Sequence, residues 1–121
     1  GKETEEKEAE GKPIIEYGDF DKCEFRVAEI VEASFVEKSK KLLRFQVKIG
    51  NESRQILSGI RKYYPNPEEL IGQKVMAIVN LAPRKMAGME SYGMLLCAED
   101  SEGKLSLVGP HRDVLSGAEI C

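Results

Sequence analysis

A chain of 121 residues with 41% apolar side chains has room for a single domain with a modest core. No apolar run approaches the ~18–20 residues that a membrane span needs, no N-terminal apolar stretch marks a secretion signal, and Cys23, Cys97 and Cys121, with the one histidine His111, offer neither a disulfide framework nor a metal-ligand spacing. These features read as a reduced, cytoplasmic protein with no metal and no cofactor, and the formal charge of −3 is low for a partner of polyanions.

Residues 1–12 are charged and poor in apolar side chains, so they read as a disordered acidic linker or tail. Gly1 in place of Met is expected of a piece of a longer chain. The folded domain is expected over 13–121. Asp19-Phe20-Asp21-Lys22-Cys23 predicts a short helical turn with Asp19 as its N-cap. Phe25 to Phe35, rich in Val and Ile but interrupted by charge, predicts a long, bent first strand. After the polar turn Glu37-Lys38-Ser39-Lys40-Lys41, Leu43, Phe45, Val47 and Ile49 alternate with Arg44, Gln46 and Lys48. That pattern is a half-buried second strand with a wet, basic face.

Gly50-Asn51 closes a hairpin into a third strand over 54–60. Arg61 to Tyr64 predicts one helical turn, stopped by Pro65-Asn66-Pro67, and a second short turn follows over 68–72. Lys74 to Leu81 predicts a strongly apolar fourth strand and Tyr92 to Ala98 its partner. Between them Pro83 stops the ladder, and Arg84-Lys85 makes a basic loop. A turn at 100–103, a short strand from Lys104 to Val108 and a last segment through Val114, Leu115 and Ile120 complete the chain. Five or more short strands with one small helix between the third and fourth describe an all-β, five-stranded Greek-key OB-fold barrel with a C-terminal extension. The strand count alone also fits a small β-sandwich.

Charge is unevenly spread. Residues 38–85 hold eleven cations against three acids, +8, while the segments on either side are acidic. OB barrels bind oligonucleotides on the face of strands 2–3 and through the 1–2 and 4–5 loops. Here those surfaces carry Lys38, Lys40 and Lys41, then Arg44 and Lys48, then Arg84 and Lys85. Met86 and Met94 border an apolar strand, where Met ordinarily fills core gaps. Tyr63, Tyr64 and Tyr92 are candidate stacking groups, with packing the stronger expectation for the first two. Cys23 and Cys97 read as small core residues. No catalytic constellation is present: there is no nucleophile elbow, no phosphate-binding glycine loop and no HxxH or CxxC.

The run Asn80-Leu81-Ala82-Pro83-Arg84-Lys85-Met86-Ala87-Gly88-Met89-Glu90-Ser91-Tyr92-Gly93-Met94 closely resembles the signature loop of the tRNA-binding OB domain family. Phe25-Arg26-Val27-Ala28-Glu29-Ile30-Val31, Leu42-Leu43-Arg44-Phe45-Gln46-Val47 and Arg54-Gln55-Ile56-Leu57-Ser58-Gly59-Ile60 match in the same order, so the resemblance covers about 14–121. This family occurs as the C-terminal extension of bacterial methionyl-tRNA synthetases and as free-standing structure-specific tRNA-binding proteins. The resemblance implies tRNA contacts from Ser91 and Met94 beside the basic loops. It leaves Asn80 either pinning loop backbone or touching RNA. Tyr92 and Ala87 depart from the family pattern, the latter standing where a cation is frequent.

The resemblance also implies a homodimer that grips the outer corner of tRNA by shape. The strand 1–2 loop looks most like that of the synthetase extension. The expected function is therefore a non-catalytic, shape-directed tRNA-binding domain, the C-terminal appendix of a methionine–tRNA ligase, covalently joined to its catalytic core. The rival is a free-standing, chaperone-like relative that binds peptides. Residues 1–12 and the basic loops argue against it.

Overall fold

The computed structural model describes residues 11–121. The acidic tail expected at 1–12 therefore lies almost entirely outside the described residues. A one-turn helix α1 (Tyr17–Asp21) leads into β1 (Phe25–Phe35), β2 (Leu43–Ile49) and β3 (Glu52–Ser58). After two 3-10 turns come β4 (Lys74–Ile78), β5 (Arg84–Met86), β6 (Met89–Ser91), β7 (Met94–Leu95), β8 (Cys97–Glu99), β9 (Leu105–Leu107) and β10 (Glu119–Ile120).

The main sheet is antiparallel in the order β3-β2-β1-β4-β7 and curls on itself. Its two edges approach where Tyr92, just before β7, donates its N–H to the Gln55 carbonyl of β3 at 2.9 Å. This is the all-β, OB-like barrel expected from the number and order of strands, and the alternation in the second strand holds as well. Leu43, Phe45 and Val47 are fully buried, while Arg44, Gln46 and Lys48 face outward. Ile30, Ile56, Val75, Ala77 and Leu95 complete the core from the other staves.

The bend in β1 has a definite cause. Its pairing with β2 runs Ile30↔Val47 and then Glu32↔Gln46, so Val31 is an extra residue, a β-bulge. Side chains alternate with period 2, so one inserted residue switches which face they take. Ala28 and Ile30 point into the core before the bulge, and Ala33 packs on it after the bulge.

Several expectations are corrected. Asp19 is not the N-cap of α1. Glu16 is, and the Asp19 carboxylate reaches back to accept from the Glu16 N–H at 3.2 Å. The two turns expected between β3 and β4 are present as 3-10 turns, Arg61–Tyr63 and Pro67–Leu70, and no single short helix joins the strands. Pro65 and Pro67 lack the N–H groups that a continuous helix uses.

The fourth strand ends at Ile78 rather than Leu81: the Val79 N–H still donates to the Glu24 carbonyl in register, but the Glu24 N–H goes to the Asn80 side chain and the Val79 carbonyl accepts from Arg54, so the ladder stops there. The strand expected over 92–98 is split at Leu96, whose N–H goes to Met76 while its carbonyl accepts from Val108. The basic loop after Pro83 is itself a hairpin, β5–β6. Cys23 is exposed rather than core, and Cys97 is half-buried.

The C-terminal extension is woven into the barrel. β10 pairs with the start of β1, beyond the end of β2. The crossing is so close that a Cβ on Gly117 would lie 2.8 Å from the Gly50 nitrogen, so only glycine fits there.

Candidate nucleic-acid interface

Two basic segments come together at one end of the barrel. The β1–β2 loop carries Lys38, Lys40 and Lys41, all exposed, and the β5–β6 hairpin carries exposed Arg84 and Lys85. What unites them is a second, small apolar cluster. Val36 and Leu42 flank the loop, Leu57 comes from β3, and Met86 and Met89 pack on them from the hairpin. Each basic segment thus rests on the apolar side chains of the other.

The lysine loop has a defined shape. Ser39 Oγ accepts from the N–H groups of Lys41 and Leu42, each at 3.1 Å. Arg61 clasps it from outside: its guanidinium donates to the Ser39 carbonyl at 2.7 Å and lies 4.1 Å over the Phe35 ring. Arg61 is a cation that sequence reasoning counted only as charge. Its partners, a carbonyl and a ring from separate segments, left no local signal.

Among the described residues, Lys38, Lys40, Lys41, Arg84 and Lys85 form no ion pair. The ion pairs present engage other cations: Lys22 with Asp19, Arg26 with Glu24, Arg54 with Glu52, Lys74 with Asp113 and Lys104 with Glu102.

The other site residues divide into those that face solvent and those that build the frame. Arg44 donates through Nε to Gln55 at 2.7 Å and through a terminal nitrogen to Gln46 at 3.0 Å; Gln55 in turn donates to the Glu90 carbonyl at 2.8 Å. This network ties the outer face of β2 to the hairpin. Lys48 stands four residues further along β2, roughly 13 Å from Arg44 at ~3.3 Å per residue, and its register partner is Glu29. It is therefore not brought to the loop cluster.

Asn80 spends its amide on backbone, accepting from the Glu24 N–H at 2.8 Å and donating to the Lys22 carbonyl at 2.7 Å. Of the two openings left by the sequence, the structure shows the pinning one. Ser91 is buried at 3% exposure. Its hydroxyl accepts from the Leu57 N–H at 3.0 Å and donates to the Gly93 carbonyl at 3.1 Å. The turn therefore does not bring that hydroxyl to the surface, as the sequence suggested, whereas Met94 is 47% exposed and does reach it.

Gly93 lies at φ 121°, and a Cβ there would sit 2.8 Å from the Ile78 carbonyl oxygen, so both the backbone and the space demand glycine. Tyr63 and Tyr64 serve packing: the Tyr64 hydroxyl accepts from the Leu107 N–H at 2.9 Å. Tyr92 is 43% exposed on the rim of a cleft with Arg54, Leu81 and Pro83. Among the described residues no cluster of His, Cys, Asp or Glu could hold a metal.

A small OB-like barrel with two unpaired basic segments at one end defines a class of oligonucleotide-binding module. Residues 25–119 match the model of the putative tRNA binding domain, and the chain belongs to that family. It is 50% identical to a methionine–tRNA ligase from Caldanaerobacter subterraneus subsp. tengcongensis over 98% of this chain but only 19% of the relative, so it spans about a fifth of that protein. Among solved structures, the MetRS-related protein from Pyrococcus horikoshii superposes with a TM-score of 0.84 at 37% identity, covering 91% of this chain and all of the other. The chaperone CsaA from Bacillus anthracis superposes with a TM-score of 0.80 at 27% identity, over 90% of this chain and all of that one.

Proposed function

We propose that this chain is a non-catalytic tRNA-binding domain that serves as the C-terminal appendix of a methionine–tRNA ligase and raises its affinity for tRNA. The carrying observation is the shared apolar cluster that holds Lys38, Lys40 and Lys41 beside Arg84 and Lys85. Unpaired cations held rigidly on two segments match phosphates whose spacing is fixed by a folded RNA, and phosphate contacts carry no sequence identity. Joined to a catalytic core, a modest general grip converts tRNA capture into an intramolecular step and raises its local concentration. No helix of the described residues is long and apolar enough to cross a membrane, and a cytoplasmic setting goes with the ligase reading. The domain pairs as a homodimer through exposed apolar side chains near its N- and C-terminal segments. The second reading, a chaperone-like peptide binder, rests on the likeness to CsaA.

Equilibrium binding of a tRNA transcript across a salt series tests the first reading. With three to five phosphate contacts at ~0.7–0.9 each, log K falls against log salt with a slope of roughly −2 to −4. Arg84→Ala with Lys85→Ala weakens binding at least tenfold, about 1.4 kcal/mol, and flattens the slope. Lys104→Ala, on the β8–β9 turn and already paired with Glu102 at 3.3 Å, leaves it unchanged. Salt-independent binding, or equal affinity for an unstructured single strand, sinks this function.

A further inference from the structure

Beside the hairpin lies an open groove of about 500 Å³ whose walls are mainly apolar. Leu81, Ala82, Met86 and Met94 line it, and Arg84 stands in it without an ion pair among the described residues. One wall is the outer edge of β3. In an antiparallel strand the N–H and C=O of one residue point to the same side, and alternate residues share that side. Gln55 and Leu57 face away from β2, since the Gln55 carbonyl accepts from Tyr92 and the Leu57 N–H donates to Ser91 Oγ. By the same alternation the Leu57 carbonyl faces the groove, Gly59 lines it from the bend that follows β3, and neither the Leu57 carbonyl nor the Gly59 N–H has a partner among the described residues. Gly59 is open: a Cβ placed on it meets nothing within 4 Å.

We propose that this groove takes one unstacked nucleobase of a structured RNA. The Leu57 carbonyl and the Gly59 N–H meet the base's hydrogen-bonding edge, Met94 lies against its face, and Arg84 meets the adjoining phosphate. The inference rests on the RNA-binding reading and adds a base-accepting site to it. Proteins that recognise folded RNA read its splayed-out bases by their edges and faces, because the paired helix hides them. One acceptor and one donor against an apolar wall, with a cation on the rim, match a base carrying its own phosphate.

An added peptide strand is the other occupant that a strand edge invites. It fits less well. Tyr92 and Ser91 already hold the edge at Gln55 and Leu57, so two groups remain rather than a run. A peptide backbone also carries no anion to pair with the Arg84 charge.

The test uses the whole chain, a tRNA transcript and the four nucleoside monophosphates. In ¹H–¹⁵N and methyl ¹H–¹³C spectra, at least one monophosphate at millimolar concentration shifts the Gly59 amide and the Met94 methyl, while a Val-rich heptapeptide does not. Gly59→Leu fills the groove from a backbone position that tolerates a side chain. It weakens tRNA binding at least fivefold and leaves the salt slope unchanged, unlike Arg84→Ala with Lys85→Ala. If Gly59→Leu lowers the melting temperature, Leu81→Ala and the wild-type amide shifts carry the test. Wild-type affinity in Gly59→Leu alongside a weakened double cation variant overturns the base site and leaves the RNA-binding reading standing. Wild-type affinity in both removes the RNA-binding reading as well. A Gly59 shift with the peptide but with no nucleotide transfers the groove to strand pairing.

Discussion

Ser91 stands where a barrel stave lacks a backbone partner. Its oxygen replaces the carbonyl that the Leu57 N–H would find in a continuous ladder, and its proton satisfies Gly93. Removing the hydroxyl leaves a buried donor unpaired, which costs ~1–3 kcal/mol. Ser91→Ala is therefore expected to lose that much in urea unfolding, and to lose tRNA affinity only as far as the hairpin shifts. An unchanged midpoint with weakened binding returns Ser91 to the role of a direct contact.

The cysteines are a second case at this scale. Burial pushes the Cys97 thiol above its usual pKa, so less thiolate is present at any given pH, and thiolate is the reactive form. Cys23 and Cys121 are exposed. In a timed reaction with an aromatic disulfide at pH 8, two thiols should react rapidly and Cys97 slowly until denaturant is added. Three equal rates would contradict this placement.

At the scale of elements, the β5–β6 hairpin turns on Ala87 at φ 50° and Gly88 at φ 80°. Both central residues lie in the left-handed region, the geometry of a type I′ turn, which favours Asn-Gly. Alanine there costs about 1 kcal/mol of backbone strain. Ala87→Asn is expected to recover about half of that or more as a higher melting temperature, with the basic side chains left in place. A lower melting temperature would show that the turn is held by something other than its own backbone.

This hairpin also marks where the sequence stops being informative. The alternation in β2 announces a stave because one buried face leaves a local period. Arg84-Lys85-Met86 has no such period, and it forms a strand because Met86 and Met89 pack on Val36 and Leu42, residues more than forty positions away. Asn80 and Ser91 show the same limit. Resemblance picks out the positions, but a short polar side chain that supports a loop looks identical in sequence to one that touches a ligand. Only their partners, Glu24, Lys22, Leu57 and Gly93, separate the two.

At the scale of the molecule, net charge misleads because the cations are segregated, and the most exposed apolar side chains lie apart from the basic loops. α1 buries none of its residues, and Ile14, Ile15, Tyr17 and Leu115 are 100%, 63%, 74% and 83% exposed. They belong to the segments that flank the start of β1, where β10 pairs, away from the basic loops. Apolar side chains gathered in this way on a small barrel are costly to leave in water, at ~25 cal/mol per Å². A two-fold pairing covers the same patch on both copies, and a stable one buries ~1,200–2,000 Å² in all.

Light scattering at tens of micromolar should therefore give twice the monomer mass. Ile14→Asp with Leu115→Asp should give a monomer whose circular dichroism and urea midpoint are nearly unchanged, since those side chains are almost wholly exposed among the described residues. Because each copy carries its own basic loops, the monomeric variant should keep the salt slope per tRNA contact while losing any gain from two-site engagement. A wild-type chain that scatters as a monomer removes the dimer. The apolar surface would then need another partner, and the proposed tRNA interface at the opposite loops would remain to be judged by its own variants.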